Sequence, residues 1–151
     1  MKSSAKWVPI VGVLAVILAV SIFIYVQTSP GHQAKEAVEA FYTFEQKGKF
    51  SDSWELLHPL MKDKFSVGHY IQDRAHVFMN HFGVETFTFT IGDSKKLKDW
   101  KMEKGAKPLQ NVYAFTVIQT FKGKYGHFDL HQNVYVVKSK DNWQVMWDYK
   151  K

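Results

Sequence analysis

The sequence predicts an α+β fold: an N-terminal transmembrane helix, followed by a domain of three helices packed on a curved antiparallel sheet. Three observations predict it. Trp7–Val26 carries no charge. Between Gln33 and Gly83, apolar residues recur at helical spacing. From Glu85 to Tyr149 the pattern switches to alternation and β-branched runs separated by turn residues. Helices segregated from an antiparallel sheet define this class.

The anchor comes first. Roughly 20 apolar helical residues span a ~30 Å hydrocarbon core, and WVPIVGVLAVILAVSIFIYV has that length. It is apolar all round, as lipid requires. Trp7 and Tyr25 suit the two interfaces. Pro9 falls in the first turn, where its missing N–H costs nothing. Lys2 and Lys6 flank one side, whereas Gln27-Thr28-Ser29-Pro30-Gly31 is neutral. The positive-inside bias makes residues 1–6 a cytosolic tip and 7–26 the single span in a cell membrane. Residues 27–32 then form a linker punctuated by Pro30-Gly31, and 33–151 an extracytoplasmic domain. The rival is a cleaved signal peptide, whose apolar core is usually about 7–15 residues. Here the run is longer, and the weak cut site Ala19-Val20-Ser21 is followed by more apolar residues, which favours an uncleaved anchor.

Composition bounds the rest. The chain has no cysteine, which excludes a lipoprotein anchor, disulfides and thiolate metal sites. The net charge is +6, of which the outer domain holds about +4, a mild excess that suits solubility. Aromatic residues make up 16%, enough for a small domain to fill a core or line a cavity with rings.

In the outer domain, Ala37, Ala40, Phe41 and Phe44 mark a helix over Gln33–Lys47 that Gly48 stops. Ser51 or Asp52 is placed to cap a short helix carrying Trp54, Leu56 and Leu57, ending at His58-Pro59. Leu60–Phe65 adds a turn. Ser66 opens a third helix with Val67, Tyr70, Ile71, Arg74, Phe78 and Phe82 on one stripe, ended by Gly83. Glu85–Ile91 alternates as a half-buried strand. Gly92–Lys107 is lysine-rich and without a period, a connection with room for a partial strand. Val112–Phe121, His127–Lys138 and Trp143–Tyr149 are strands joined by short turns, an antiparallel meander.

Two polar constellations stand out. His127, Asp129 and His131 share one face of a strand, and two imidazoles with a carboxylate are a legitimate metal set. Their spacing of about 6.5–7 Å lets them meet one ion only with bending, so a solvated or interaction face is the expectation. His69, Asp73, His76 and Asn80 form a helical stripe opposite an apolar one, as an ordinary amphipathic helix does. No metal and no cofactor is expected. There is no phosphate loop, no G-x-S-x-G and no H-E-x-x-H. Lys95–Lys107 is a basic patch without a stacking platform, which argues against nucleic acid.

Ala37-Val38-Glu39-Ala40-Phe41-Tyr42 and Lys47-Gly48-Lys49-Phe50-Ser51-Asp52-Ser53-Trp54-Glu55-Leu56-Leu57 resemble the first two helices of the nuclear-transport-factor-2-like superfamily, a cone-shaped α+β fold. Asn142–Asp148 resembles the last strand of the non-catalytic N-terminal domain of some penicillin-binding proteins. The resemblance covers roughly Ala34–Tyr149. The sequence stops at Lys151 with no transpeptidase domain, so no acyl-transfer serine carries over. The family's acid/base motif finds no residue-by-residue match. The resemblance implies a cone whose inner face is lined by Tyr42, Trp54, Tyr113, Phe115 and Trp143, either as core or as a ligand pocket. The expected function is a membrane-anchored binding or assembly module, not an enzyme, with an envelope protein as partner. A ligand-binding or enzymatic cone protein with an aromatic pocket is the alternative.

Overall fold

The computed structural model describes residues 7–81, 83–140 and 142–149, with the backbone alone of 7–9 and 78–80. Lys2, Lys6 and the side chains of Trp7, Phe78, Asn80 and Phe82 lie outside the described residues. The chain divides into two compact units, Met1–Gln33 and Ala34–Lys151.

In the first unit, helix α1 spans Trp7–Gln27. From Ile10 to Val26 its large apolar side chains are all at least half exposed. Two hydroxyls bond back to its carbonyls: Ser21 Oγ donates to the Ile17 carbonyl and Thr28 Oγ1, just past its end, to the Ile24 carbonyl, both at 2.8 Å. Length and composition suffice to cross a membrane.

Helix α2 spans Pro30–Gln46. The expected linker at Pro30-Gly31 is therefore the first turn of a helix. Ser29 Oγ accepts from the His32 N–H at 3.3 Å, and Pro30 sits where a helix tolerates a missing donor. The buried stripe is Ala34, Val38, Phe41, Tyr42 and Glu45. Ala40 is exposed and Phe44 half-buried, so the core face is rotated from the expected one. Gly48, with φ +67°, ends the segment in a conformation glycine adopts without strain.

Helix α3 spans Phe50–Glu55, with Ser51 and Asp52 inside its first turn and Lys49 at the cap position. Helix α4 is the single turn Pro59–Lys62. His58 caps it: Nδ1 accepts from the Leu60 N–H at 3.2 Å. Burial holds the His58 imidazole below its ordinary value, with Asp63 pulling the other way. The unfolded chain thus takes up a proton at a pH where the folded chain does not. Stability is full above about 6.5 and falls as pH drops through that value, because the protonated ring cannot accept the cap bond. The urea midpoint of the full chain in detergent should be lower at pH 5.5 than at 7.5. His58→Asn, which keeps an acceptor but does not titrate, should shrink that difference. His58→Ala should cost about 1 kcal/mol at pH 7.5. An unchanged pH response in His58→Asn would assign the effect elsewhere.

Helix α5 spans Val67–Ala75 and continues as a π-helical turn, His76–His81. Val67 and Ile71 are exposed, so among the described side chains of the expected apolar stripe Tyr70 is the buried one, with Arg74 a turn later.

The sheet has the order β1-β3-β4-β5, all antiparallel, and curls. Its strands are β1 (Phe87–Ile91), β2 (Lys95–Trp100), β3 (Leu109–Gly123), β4 (Gly126–Ser139) and β5 (Asn142–Met146). β1 and β2 share one edge of β3: Ile91 faces Val117 and Lys95 faces Ala114. Between them Gly92 donates to the Thr116 carbonyl at 2.9 Å, and a Cβ there would sit 3.3 Å from that oxygen. The partial strand expected in the lysine-rich connection is β2.

β5 is covered on its outer side. Val145 N–H donates to the Leu56 carbonyl at 2.9 Å, and His58 N–H to the Val145 carbonyl at 3.0 Å. Leu57 thus pairs with Val145 as a single parallel bridge. The core between helices and sheet is built on Phe41, Tyr42, Leu57, Met61, Phe115, Phe121 and Met146, each at most 2% exposed. Leu130, on β4, is 42% exposed.

Candidate functional site

The most concentrated polar chemistry lies where α2, α3 and α5 meet. Glu45 follows Phe41 by one turn, so its carboxylate enters the core and is 3% exposed. Three groups hold it. Ser53 Oγ and Tyr70 OH donate to Oε1, the latter at 2.8 Å. Arg74 Nε lies 3.1 Å from Oε2. The guanidinium also sits 5.3 Å from the Tyr70 ring centre and 5.8 Å from that of Trp147. Burial works against the Arg74 charge, but Tyr70 and Glu45 more than offset it and hold the group protonated. Burial also pushes the Tyr42 and Tyr70 phenols well above their ordinary value, against the pull of Arg74.

Beside this network is a cleft of about 230 Å³ whose walls include Phe65, Tyr70, Arg74, Val77, Gln132 and Trp147. Ordinary ligand sites hold about 300–1,000 Å³. A wider groove of about 530 Å³ crosses Gln46, Thr86, Thr88, Thr120 and Lys122, and no residue of the charged network lines it. Chemically, the Glu45 carboxylate is engaged on both oxygens and the phenols stay protonated. The arrangement ties three helices together and presents aromatic faces and one edge of a guanidinium to the cleft.

The residues expected to line a pocket are dispersed. Tyr42 is buried and donates its OH to Gln132 Oε1 at 2.9 Å, on the cleft's border. Trp54 is half-buried, donating Nε1–H to the Phe65 carbonyl at 2.7 Å beneath Lys62, whose Nζ is 4.4 Å from its ring centre. Phe115 belongs to the core. Tyr113 meets Trp143 edge to face at 5.6 Å, with Lys96 over one ring and Lys138 over the other. Glu45 and Arg74 had a signal in the sequence: each is a charged residue on an otherwise apolar helical stripe.

Among the described residues, no group of three or more His, Asp or Glu is placed to hold a metal. His127, Asp129 and His131 are exposed, and Asp129 Oδ1 accepts from Thr120 Oγ1 at 2.6 Å. The helical stripe changes at His76, where π geometry brings His76 and His81 Nε2 within 2.9 Å of each other. His69, Asp73 and His76 are exposed. Chelator should leave the melting temperature of the full chain unchanged. A drop abolished by His131→Ala or His76→Ala would establish a site that couples metal to folding.

No protein-family model matches the chain, and no curated protein matches it.

Proposed function

We propose that the chain is a single-pass, membrane-anchored, extracytoplasmic module of the cone-shaped nuclear-transport-factor-2-like kind. It acts through protein–protein contacts at the cell envelope and performs no catalysis of its own. The observation that carries this reading is α1: an uncharged helix whose apolar side chains nothing in its own unit covers. Burying such a surface in lipid is favourable by roughly 25 cal/mol per Å². The neutral flank after Val26, against lysines before Trp7, supports an outside C-terminus. The Glu45 carboxylate is buried and tied to Ser53, Tyr70 and Arg74, which supports a binding role, since a general acid or base needs a proton site it can exchange with a substrate.

The test is topology. A periplasm- or exterior-active reporter fused after Lys151 should be active, and a cytosol-active one should not. The mature chain should retain Trp7–Val26 by mass. A cytosolic C-terminus, or a chain beginning near Ser21, would overturn the reading.

A further inference from the structure

The sheet leaves a long stretch of β4's edge uncovered. β4 runs from Gly126 to Ser139, but β5 pairs only with Tyr135–Ser139. Among the described residues, no strand pairs with the outer side of Gly126–Val134. Other parts of the rim are defended or short. Leu56–His58 covers β5, Lys95, Lys96 and Lys98 guard β2, and β1 is only five residues long, with Gln46 Nε2 donating to the Phe87 carbonyl at 2.6 Å. Lysines, breaks and covering loops are the usual defences of an exposed edge. GHFDLHQNV has no lysine, no proline and no bulge.

We infer that this edge pairs with the same edge of a second copy of the chain, antiparallel and centred on Leu130. The inference deepens the assembly reading by naming the partner, and rests on it only for the membrane that concentrates the chains.

Two independent arguments fix the register. The first is length. In a two-fold antiparallel ribbon opposite residues share a face, so the centre must fall on a residue. Centring on Leu130 pairs Gly126 with Val134 and uses the whole open stretch without reaching β5. The second is chemistry. That register sets Asp129 against His131 of the other copy, and His131 against Asp129, imidazole donor to carboxylate acceptor. Thr120 holds Asp129 Oδ1, and the carboxylate has a second oxygen to accept from the facing imidazole. Centring two residues earlier in the chain would oppose Phe128 to itself and Asp129 to His127, and would leave half the edge unused. Centring on Asp129 would set carboxylate against carboxylate.

The backbone agrees. The tight turn at Lys124-Tyr125 makes Gly123 and Gly126 a hydrogen-bonded pair, so even-numbered β4 residues bond to β3. The N–H and C=O groups of His127, Asp129, His131 and Asn133 therefore face the open side. In the ribbon they supply roughly eight hydrogen bonds, two for each closely bonded pair. Leu130 becomes a non-hydrogen-bonded pair with its counterpart, where side chains approach most closely, and its 42% exposure is covered.

The native chain has no cysteine, so single-cysteine crosslinking in membranes reads the register directly. Opposed Cβ atoms about 4.5–5.5 Å apart suit a disulfide. Under mild oxidant, full-length Leu130→Cys should form a covalent dimer at least about tenfold faster than the exposed Thr116→Cys, because pairing sets a high effective concentration. Adding His131→Pro removes a donor on the open side alone. It should abolish the dimer without lowering the melting temperature. Asp129→His should slow crosslinking, and Asp129→His with His131→Asp should restore it, since the exchanged pair is still complementary. Crosslinking of Leu130→Cys no faster than Thr116→Cys, crosslinks only to other proteins, or a swap that fails to restore the rate would overturn the inference. A chain that fails the topology test but still crosslinks through Leu130→Cys loses the membrane reading and keeps this one.

Discussion

Glu45→Ala is expected to destabilise the chain by about 3–5 kcal/mol, a large fraction of a small domain's stability. The carboxylate is 3% exposed and answers Arg74, Tyr70 and Ser53 at once. Its loss takes away the carboxylate that Arg74 pairs with and the acceptor of the Tyr70 hydroxyl, while Ser53 Oγ keeps the Phe50 carbonyl at 3.1 Å. Rings alone offset only about 0.5–2 kcal/mol of that. Glu45→Gln should be milder, because an amide oxygen still accepts from the hydroxyls. The double replacement Glu45→Leu with Arg74→Met should recover much of the loss, since a buried pair exchanged for apolar side chains is often nearly neutral. Urea unfolding of the full chain in detergent, followed by tryptophan emission, measures all three. A loss below about 1 kcal/mol in Glu45→Ala would mean that water reaches the carboxylate and that Arg74 does not depend on it.

Trp147→Ala should cost about 3 kcal/mol, the low end for a large aromatic, because the ring is only half-buried. Trp147 packs at 6.4 Å from Phe41 and 5.8 Å from Phe65, and its face meets Arg74. It closes the cleft from the sheet side. Trp147→Phe should keep most of the stability. A cost under about 1 kcal/mol for Trp147→Ala would make this ring an exposed contact surface instead.

The meander from β3 to β5 was legible because its strands combine β-branched runs with turn residues at hairpin spacing. The helices were legible as periods, but their faces were not. Phe44 and Ala40 look as apolar as Phe41, and only packing selects the stripe that ends in Glu45. Pro30-Gly31 reads as a break, yet Ser29 converts it into a helix start through one hydrogen bond. β2 has almost no apolar alternation, since it is an edge strand rich in exposed lysines, and only Leu97 and Trp100 turn toward the core, so its pairing with β3 leaves little trace in the pattern. The aromatic residues grouped by type scattered because a ring's partners depend on strand register and curl. Charge on an apolar stripe was the better guide: Glu45 and Arg74 break their helices' pattern and find each other across it.

The bridge between Leu57 and Val145 ties the middle of the chain to nearly its last strand. A chain that leaves the ribosome and crosses a membrane in order delivers α3 and α4 long before Asn142–Met146 exists. Until then Leu57, fully buried in the finished fold, lacks the strand it bridges to. Contacts of such long sequence separation are slow to form and leave apolar surface open while they wait. Under the proposed topology, export therefore carries an interval in which the helical half is complete in sequence but unable to close, and the final strand is the release step that ends it.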